Sequence, residues 1–452
     1  MRSRGRAGVG LAVLLCTGVL GACGPNLSPS RYGVNAHYEY AKTAPMMRAA
    51  GFKWVRLNAE WDWLNPNPGE VHPEFLDPIV NAWVKQGFSV LIVLTEEVPK
   101  WAYDPTETAS HAGTDNCQGI EQGTRRPASP DDFQGFANVM AQHFKDRVAA
   151  WEVYNEPDWP CRWPGDAVDF KRLIFAPGFD GIRAAQPDAI VLGPGLTHAS
   201  GLQSWYTYPV GTSHYLVRPV NAVAFHTYGS VTTDKSNMDT GSKFVACTTD
   251  GYCVHKYWLT EFGFDESYRT SSAPQIEAYC EGQSNCERIF YYDAIQSGGD
   301  MHSWGLLDET GQPRAKYGVL QNYLLQREPA LPPFKVPACS APANSAYMVP
   351  GECLKTGQAL RSPNGQYTLV LQTDGNLVLY GPSGAMWSTV TYGLTATEVA
   401  FDGGNLVLYG PNGWLWSSNT AFAVNLVMQD DGVLAMYSTS EPVWARGTYS
   451  FG

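Results

Sequence analysis

Short apolar runs alternate with amphipathic stretches through the first 300 or so residues. The runs predict strands at Tyr32–Asn35, Trp54–Leu57, Ser89–Leu94, Ala150–Tyr154, Ile190–Leu192, Ala222–Phe225, Tyr257–Thr260 and Met301–Trp304. Apolar residues at consecutive positions suit parallel strands buried on both faces. The stretches between them read as helices. One starts at Ser129-Pro130-Asp131-Asp132, an N-cap followed by Pro at the first helical position and acids in the first turn, and Phe133, Phe136, Met140 and Phe144 mark its buried face. Eight strands alternating with helices predict an α/β chain folded as a (β/α)8 TIM barrel. A doubly wound sheet gives similar alternation, but no Gly-rich phosphate loop follows the first strand.

A different pattern begins after six prolines between Arg327 and Pro350. Those prolines predict a semi-rigid linker over 328–345. The tail from 346 to 450 is rich in Gly and Asn, with short strands and an internal repeat. Tyr380, Tyr409 and Tyr437 lie 29 and 28 residues apart, and Trp387, Trp416 and Trp444 keep the same spacing. Three matched repeats predict three similar β units, with the three tryptophans as a shared core.

Charge and cysteine usage locate the chain. Of 452 residues 44% are hydrophobic, enough for large cores, and the net charge is −12. The first 22 residues carry three arginines and no acid, so the remainder carries −15. So acidic a body disfavours phosphate backbones, and no nucleic-acid partner is expected. Arg2, Arg4 and Arg6 precede an apolar run from about Val9 to Leu20, too short for a membrane span and typical of a signal peptide over 1–22. Leu20-Gly21-Ala22-Cys23 resembles the lipobox of bacterial lipoproteins. That resemblance implies cleavage before Cys23, acylation of Cys23 as a membrane anchor, and a tether over 23–30. The alternative is an ordinary secretory signal. Cys117, Cys161, Cys247, Cys253, Cys280, Cys286, Cys339 and Cys353 then remain. An even number in an exported chain predicts disulfides, with neighbours pairing as 117–161, 247–253, 280–286 and 339–353.

Two carboxylates carry the candidate chemistry. Trp151-Glu152-Val153-Tyr154-Asn155-Glu156-Pro157 is an apolar strand ending in Asn-Glu and broken by Pro. Trp258-Leu259-Thr260-Glu261-Phe262-Gly263 ends another strand on a Glu. In a barrel, both acids reach the cleft at the C-terminal ends of the strands. A lone Glu there is ordinarily solvated or ion-paired; the flanking Asn and Pro and the matched second Glu favour catalysis. Glu152, two residues before Tyr154, points into the barrel as a structural acid.

Residues 31–327 resemble clan A retaining glycoside hydrolases, closest to family 39 and then family 5. The resemblance rests on Asn155-Glu156 after the fourth strand, Glu261 after the seventh, Arg56 on the second, His226-Thr227-Tyr228 after the sixth and Trp304 at the end of the eighth. It implies that Glu156 is the acid/base and Glu261 the nucleophile. Asn155, Arg56, His226, Tyr228, Trp304 and His37 would line the substrate site. Retaining hydrolysis needs two carboxyl groups about 5–5.5 Å apart, one attacking the anomeric carbon and one protonating the leaving oxygen. It calls for no metal and no cofactor.

In the tail, Gln372, Asp374, Asn376, Val378 and Tyr380 fall at every second position, which predicts one strand face. They resemble the mannose-binding motif of bulb-type lectins, whose fold is a three-repeat β-prism. The second repeat keeps Asn405, Val407 and Tyr409 but has Phe401 and Gly403 for the Gln and Asp. The third keeps Gln429, Asp431 and Tyr437 but has Val433 and Ala435 for the Asn and Val. One competent mannose site is expected. The whole reads as an exported glycosidase acting on an oligo- or polysaccharide, tethered by its lectin to mannose-containing glycans. The alternatives are a glycan-binding adhesin on an inactive barrel and a transglycosylase.

Overall fold

The computed structural model describes residues 25, 27–37, 43–95, 97–106, 125–265, 267–296, 303–328, 339–402, 404–411, 413–418, 420, 423–438 and 442–448. The signal segment, Cys23 and Cys117 lie outside these residues, as does most of the proline-rich stretch.

Eight parallel strands close into a barrel: β1 (Tyr32–Asn35), β2 (Trp54–Glu60), β3 (Ser89–Thr95), β4 (Ala150–Val153), β5 (Ile190–Leu196), β6 (Ala222–Thr227), β7 (Tyr257–Phe262) and β8 (Cys286–Tyr291). All seven residues of β3 are buried, as its unbroken apolar run requires. Helices cover the outside. The helix Pro130–Phe144 is capped by the Ser129 hydroxyl, which accepts from the Asp131 amide, and it buries Phe133, Phe136, Met140 and Phe144. It packs so closely on the helix Ala176–Ala185 that a Cβ on Gly181 would lie 2.4 Å from the Gln134 carbonyl oxygen.

The eighth strand differs from the expected Met301–Trp304. It is Cys286–Tyr291, whose Ile289, Phe290 and Tyr291 are fully buried. The polar Glu287 and Arg288 interrupt that run and disguise it. Arg288 lies over the Trp54 and Trp258 rings, stacking where an apolar residue was expected. Trp304 belongs to no strand and follows β8 in a loop.

Inside the barrel, period-two alternation builds layers. Trp54, Leu91, Ala150, Leu192, Ala224, Trp258 and Phe290 form an apolar layer near the N-terminal end. Two residues further along four of these strands stand Arg56, Glu152, His226 and Thr260, a buried polar layer.

The tail forms three four-stranded sheets, paired antiparallel. The short strands Tyr347–Met348 and Cys353–Lys355 complete the sheets of the third and second repeats, so chain order interlocks them. Trp387, Trp416 and Trp444 meet edge to face at 5.5–6.3 Å between centroids, in their shared interior. Disulfides join Cys247 to Cys253, Cys280 to Cys286 and Cys339 to Cys353. Among the described residues no helix is long and apolar enough to cross a membrane.

Candidate active site

Two local distortions turn the carboxylates inward. On β7 the register against β6 shifts between Leu259 and Glu261, so strict alternation is broken and both Thr260 and Glu261 face the barrel interior. After β4, Tyr154 and Glu156 take left-handed backbone angles, φ 77° and 48°. Tyr154 is pinned there by burial against Phe133, Trp163 and Phe170 and by its hydroxyl, which donates to the Arg162 carbonyl at 2.9 Å. The Glu156 amide donates to the Gly195 carbonyl at 2.7 Å, which ties the kinked segment to β5. Gly195 must be glycine. A Cβ there would sit 2.2 Å from Glu152 Oε1 and 2.7 Å from His226 Nε2.

Arg56 organises the polar layer. Its Nε donates to Glu152 at 2.7 Å, Nη1 to Glu261 at 2.6 Å and Asn35 at 3.0 Å, and Nη2 to Asn155 at 2.8 Å. Thr260 donates to the other Glu152 oxygen at 3.1 Å. Glu152 is thus a fully buried counter-ion whose two oxygens are both engaged, which fits its expected structural place.

Glu261 receives a second donor, the Tyr228 hydroxyl, at 2.7 Å. His226 Nδ1 is 2.8 Å from Glu156 Oε1 and 3.6 Å from Glu261 Oε2. Burial alone would raise the Glu261 carboxyl, but His226, Arg56 and the Tyr228 hydrogen bond overcome it and hold it down at about 2. Burial pulls His226 down in turn, and Glu261 together with the Glu156 hydrogen bond pushes it above its ordinary value. One oxygen each of Glu156 and Glu261 and a nitrogen of His226 lie within 4.8 Å of one another. A divalent cation could share that spacing, although Arg56 already supplies positive charge to Glu261. A second cluster, Cys339, Cys353 and Glu398, has its two sulfurs joined in a disulfide and so offers no thiolates.

Around the carboxylates stands an aromatic wall. Tyr228 meets Trp304 at 5.0 Å and Tyr292 at 6.0 Å, and His37 meets Tyr292 at 6.0 Å. His37 lies 3.3 Å from the buried Asp293. The fold therefore gathers Glu156, Glu261, Asn155, Arg56, His226, Tyr228, Trp304 and His37 at one end of the barrel. It adds Asn35, Thr260, Tyr292 and Asp293, which sequence reasoning missed. Asn35 and Thr260 are polar residues closing apolar strands, a signal that was available. Tyr292 and Asp293 follow the strand that was misplaced.

In the tail, the expectation of five signature residues on one strand face needs correction. Only Val378 and Tyr380 lie on the strand Leu377–Gly381, while Gln372, Asp374 and Asn376 sit in the turn before it. Gly375 takes φ +88°, and a Cβ on it would lie 1.9 Å from the Leu394 carbonyl oxygen, so Asp374-Gly375 bends the chain. The turn still converges on one spot. Gln372 donates to the Tyr380 hydroxyl at 2.7 Å, and the Asn376 amide donates to Asp374 at 3.0 Å. Asn376 Oδ1 accepts from Thr389 at 3.1 Å and Thr391 at 3.2 Å. The third repeat repeats the pair from Gln429 to Tyr437 and the Asp431 contact.

Residues 35–176 match the glycoside hydrolase family model described as beta-galactosidase. Beta-glucosidase 5 of Oryza sativa subsp. japonica is 25% identical over 139 residues, 30% of this chain and 24% of that protein. The chain thus spans about a quarter of the length of the curated relatives it matches. A family 39 glycoside hydrolase from Bacteroides cellulosilyticus WH2 aligns over 84% of this chain and 73% of its own, at 16% identity and a TM-score of 0.49. A monomeric monocot mannose-binding lectin from Gastrodia elata aligns over 23% of this chain and 97% of its own, at 32% identity and a TM-score of 0.21. The barrel part of this chain is glycoside hydrolase-like.

Proposed function

We propose that the chain is an exported, lipid-anchored retaining glycoside hydrolase, with its barrel over 31–327 and a mannose-binding lectin module over 346–450. The observation that carries this reading is the pair Glu156 and Glu261, with oxygens within 4.8 Å and Glu261 held ionised by Arg56, Tyr228 and His226. A separation of about 5–5.5 Å suits double displacement, whereas inversion needs room for a water, about 6.5–9.5 Å.

Glu261 attacks the anomeric carbon as the bond to the leaving oxygen breaks, and Glu156 gives that oxygen its proton. The glycosyl ester on Glu261 has lost the carboxylate's charge. Glu156, now ionised, takes a proton from water, the water oxygen attacks the anomeric carbon, and Glu261 leaves as carboxylate. Asn155, fixed through its oxygen by Arg56, presents its amide to the sugar, and Tyr228, Trp304 and His37 wall the ring. The substrate is an oligo- or polysaccharide, and a lectin on the same chain raises its local concentration. Three disulfides support export. Acylation of Cys23 supplies the anchor.

The test is a pair of conservative variants assayed on a panel of aryl glycosides and polysaccharides. Glu261→Gln and Glu156→Gln each lower turnover about 10³-fold or more while retention on mannose resin is unchanged. Full turnover by Glu261→Gln would exclude it as nucleophile.

A further inference from the structure

The second tail repeat departs from the motif of the first, and its surface meets the barrel. Asp402 lies 3.2 Å from Lys85 at the end of the barrel helix Asp77–Lys85. The Tyr409 hydroxyl donates to the same Asp402 at 3.0 Å, where Tyr380 and Tyr437 instead accept from a glutamine. Tyr409 is fully buried, whereas Tyr380 and Tyr437 are half-buried. Val407, Tyr409, Ala400 and Cys353 pack as part of the barrel's apolar cluster. Their strand neighbours Phe401, Leu406 and Leu408 pack in the tail's own core. A cavity of about 70 Å³ lies along this seam, between Asp77, Asn81 and Lys85 on one side and Asn405, Ser417 and Thr420 on the other. That space holds a handful of waters.

We infer that the second repeat's face, which corresponds to the sugar-motif face of the first, serves as an intramolecular docking surface whose partner is the chain's own helix Asp77–Lys85. Phe401 pairs with Leu406 as Leu371 pairs with Leu377 and fills the same core place, while Asp402 stands where Gln372 does, bonded to the repeat's tyrosine in a turn one residue shorter, and its charge is met by Lys85. Docking covers the second repeat's face and makes barrel and tail one body. The first repeat then points in a fixed direction from the catalytic cleft instead of swinging on the linker. This inference uses the repeat alignment but not sugar binding by the first repeat, so the two fail separately.

The experiment uses the full chain, by calorimetry and small-angle scattering. Wild type melts in one transition and scatters as a single compact body, with a radius of gyration near the roughly 22 Å expected for its length. Val407→Asp places a charge in the seam. Its barrel and tail melt in two separate transitions and its radius of gyration rises, while turnover of a small aryl glycoside stays within about twofold of wild type. Val407→Asp protein that melts once and scatters like wild type overturns the inference. Should Val407→Asp impair folding of the tail itself, a charge swap decides. Lys85→Glu loosens the seam, and adding Asp402→Lys restores wild-type melting and scattering. Failure of Lys85→Glu to change either readout, or of the swap to restore them, overturns the inference.

Discussion

Arg56 and Tyr228 decide what Glu261 can do. Arg56 reaches four partners with one planar fork, which a lysine ammonium cannot reproduce. Arg56→Lys leaves Glu152 buried with incomplete compensation and should destabilise the barrel by about 3 kcal/mol, read by urea unfolding. Tyr228→Phe removes one donor from Glu261 and should lower kcat/KM about 10- to 100-fold. It also lets the Glu261 carboxyl rise from about 2, so the acid limb of kcat/KM moves to higher pH. An unmoved acid limb would show that Tyr228 does not hold the nucleophile ionised. The same depression has a stability consequence. Ionised Glu261 stabilises the fold above its ordinary value of 4.5, and that contribution is lost as the pH falls toward about 2. Glu156 and Glu261 stood out as acids ending apolar strands, whereas Arg56, Asn155, His226 and Tyr228 were singled out by the family resemblance. Asp293 was not, since nothing in its neighbours marks it until Tyr291 is seen to close β8.

At the level of elements, the site depends on departures from regular strands. Alternation alone would send Glu261 to the opposite face from Thr260, and only the register shift on β7 brings both inside. The kink through Tyr154 and Glu156 does the same after β4. Neither departure can be read from hydrophobic pattern, which reports period and not its local failure. Pattern also misled at Met301–Trp304, because Arg288 in β8 is charged yet lays its guanidinium over the Trp54 and Trp258 rings. In the tail, Asp374-Gly375 is a turn signal that the alternation of Gln372, Asp374 and Asn376 concealed. Gly195 is the tightest approach of backbone to the polar layer. Gly195→Ala forces Glu152 or His226 to move and should cost about 1–3 kcal/mol of stability and most of the activity. A Gly195→Ala protein with wild-type melting and turnover would mean that the polar layer has slack the geometry does not suggest.

On the scale of the whole molecule, the proposed reading assigns catalysis and glycan retention to different parts of the chain. On the proposed reading Asn376→Ala should abolish retention on mannose resin, because the Asn376 oxygen anchors the turn through Thr389 and Thr391 and would leave the amide nitrogen for a sugar. The same variant should hydrolyse a small aryl glycoside at the wild-type rate, and unchanged resin retention would exclude the first-repeat site. A polymer should show a drop in kcat/KM, since only a large substrate can engage both parts. The division into barrel and tail was plain from the prolines and the 28–29-residue repeat, while their docking was not, because it joins residues more than 300 positions apart. The most direct measurement is proton NMR of the first sugar released from the aryl glycoside turned over best. Two displacements, by Glu261 and then by water, give a product with the anomeric configuration of the substrate. First-formed product of the opposite configuration would mean that water attacks directly, and that Glu261 is not the nucleophile.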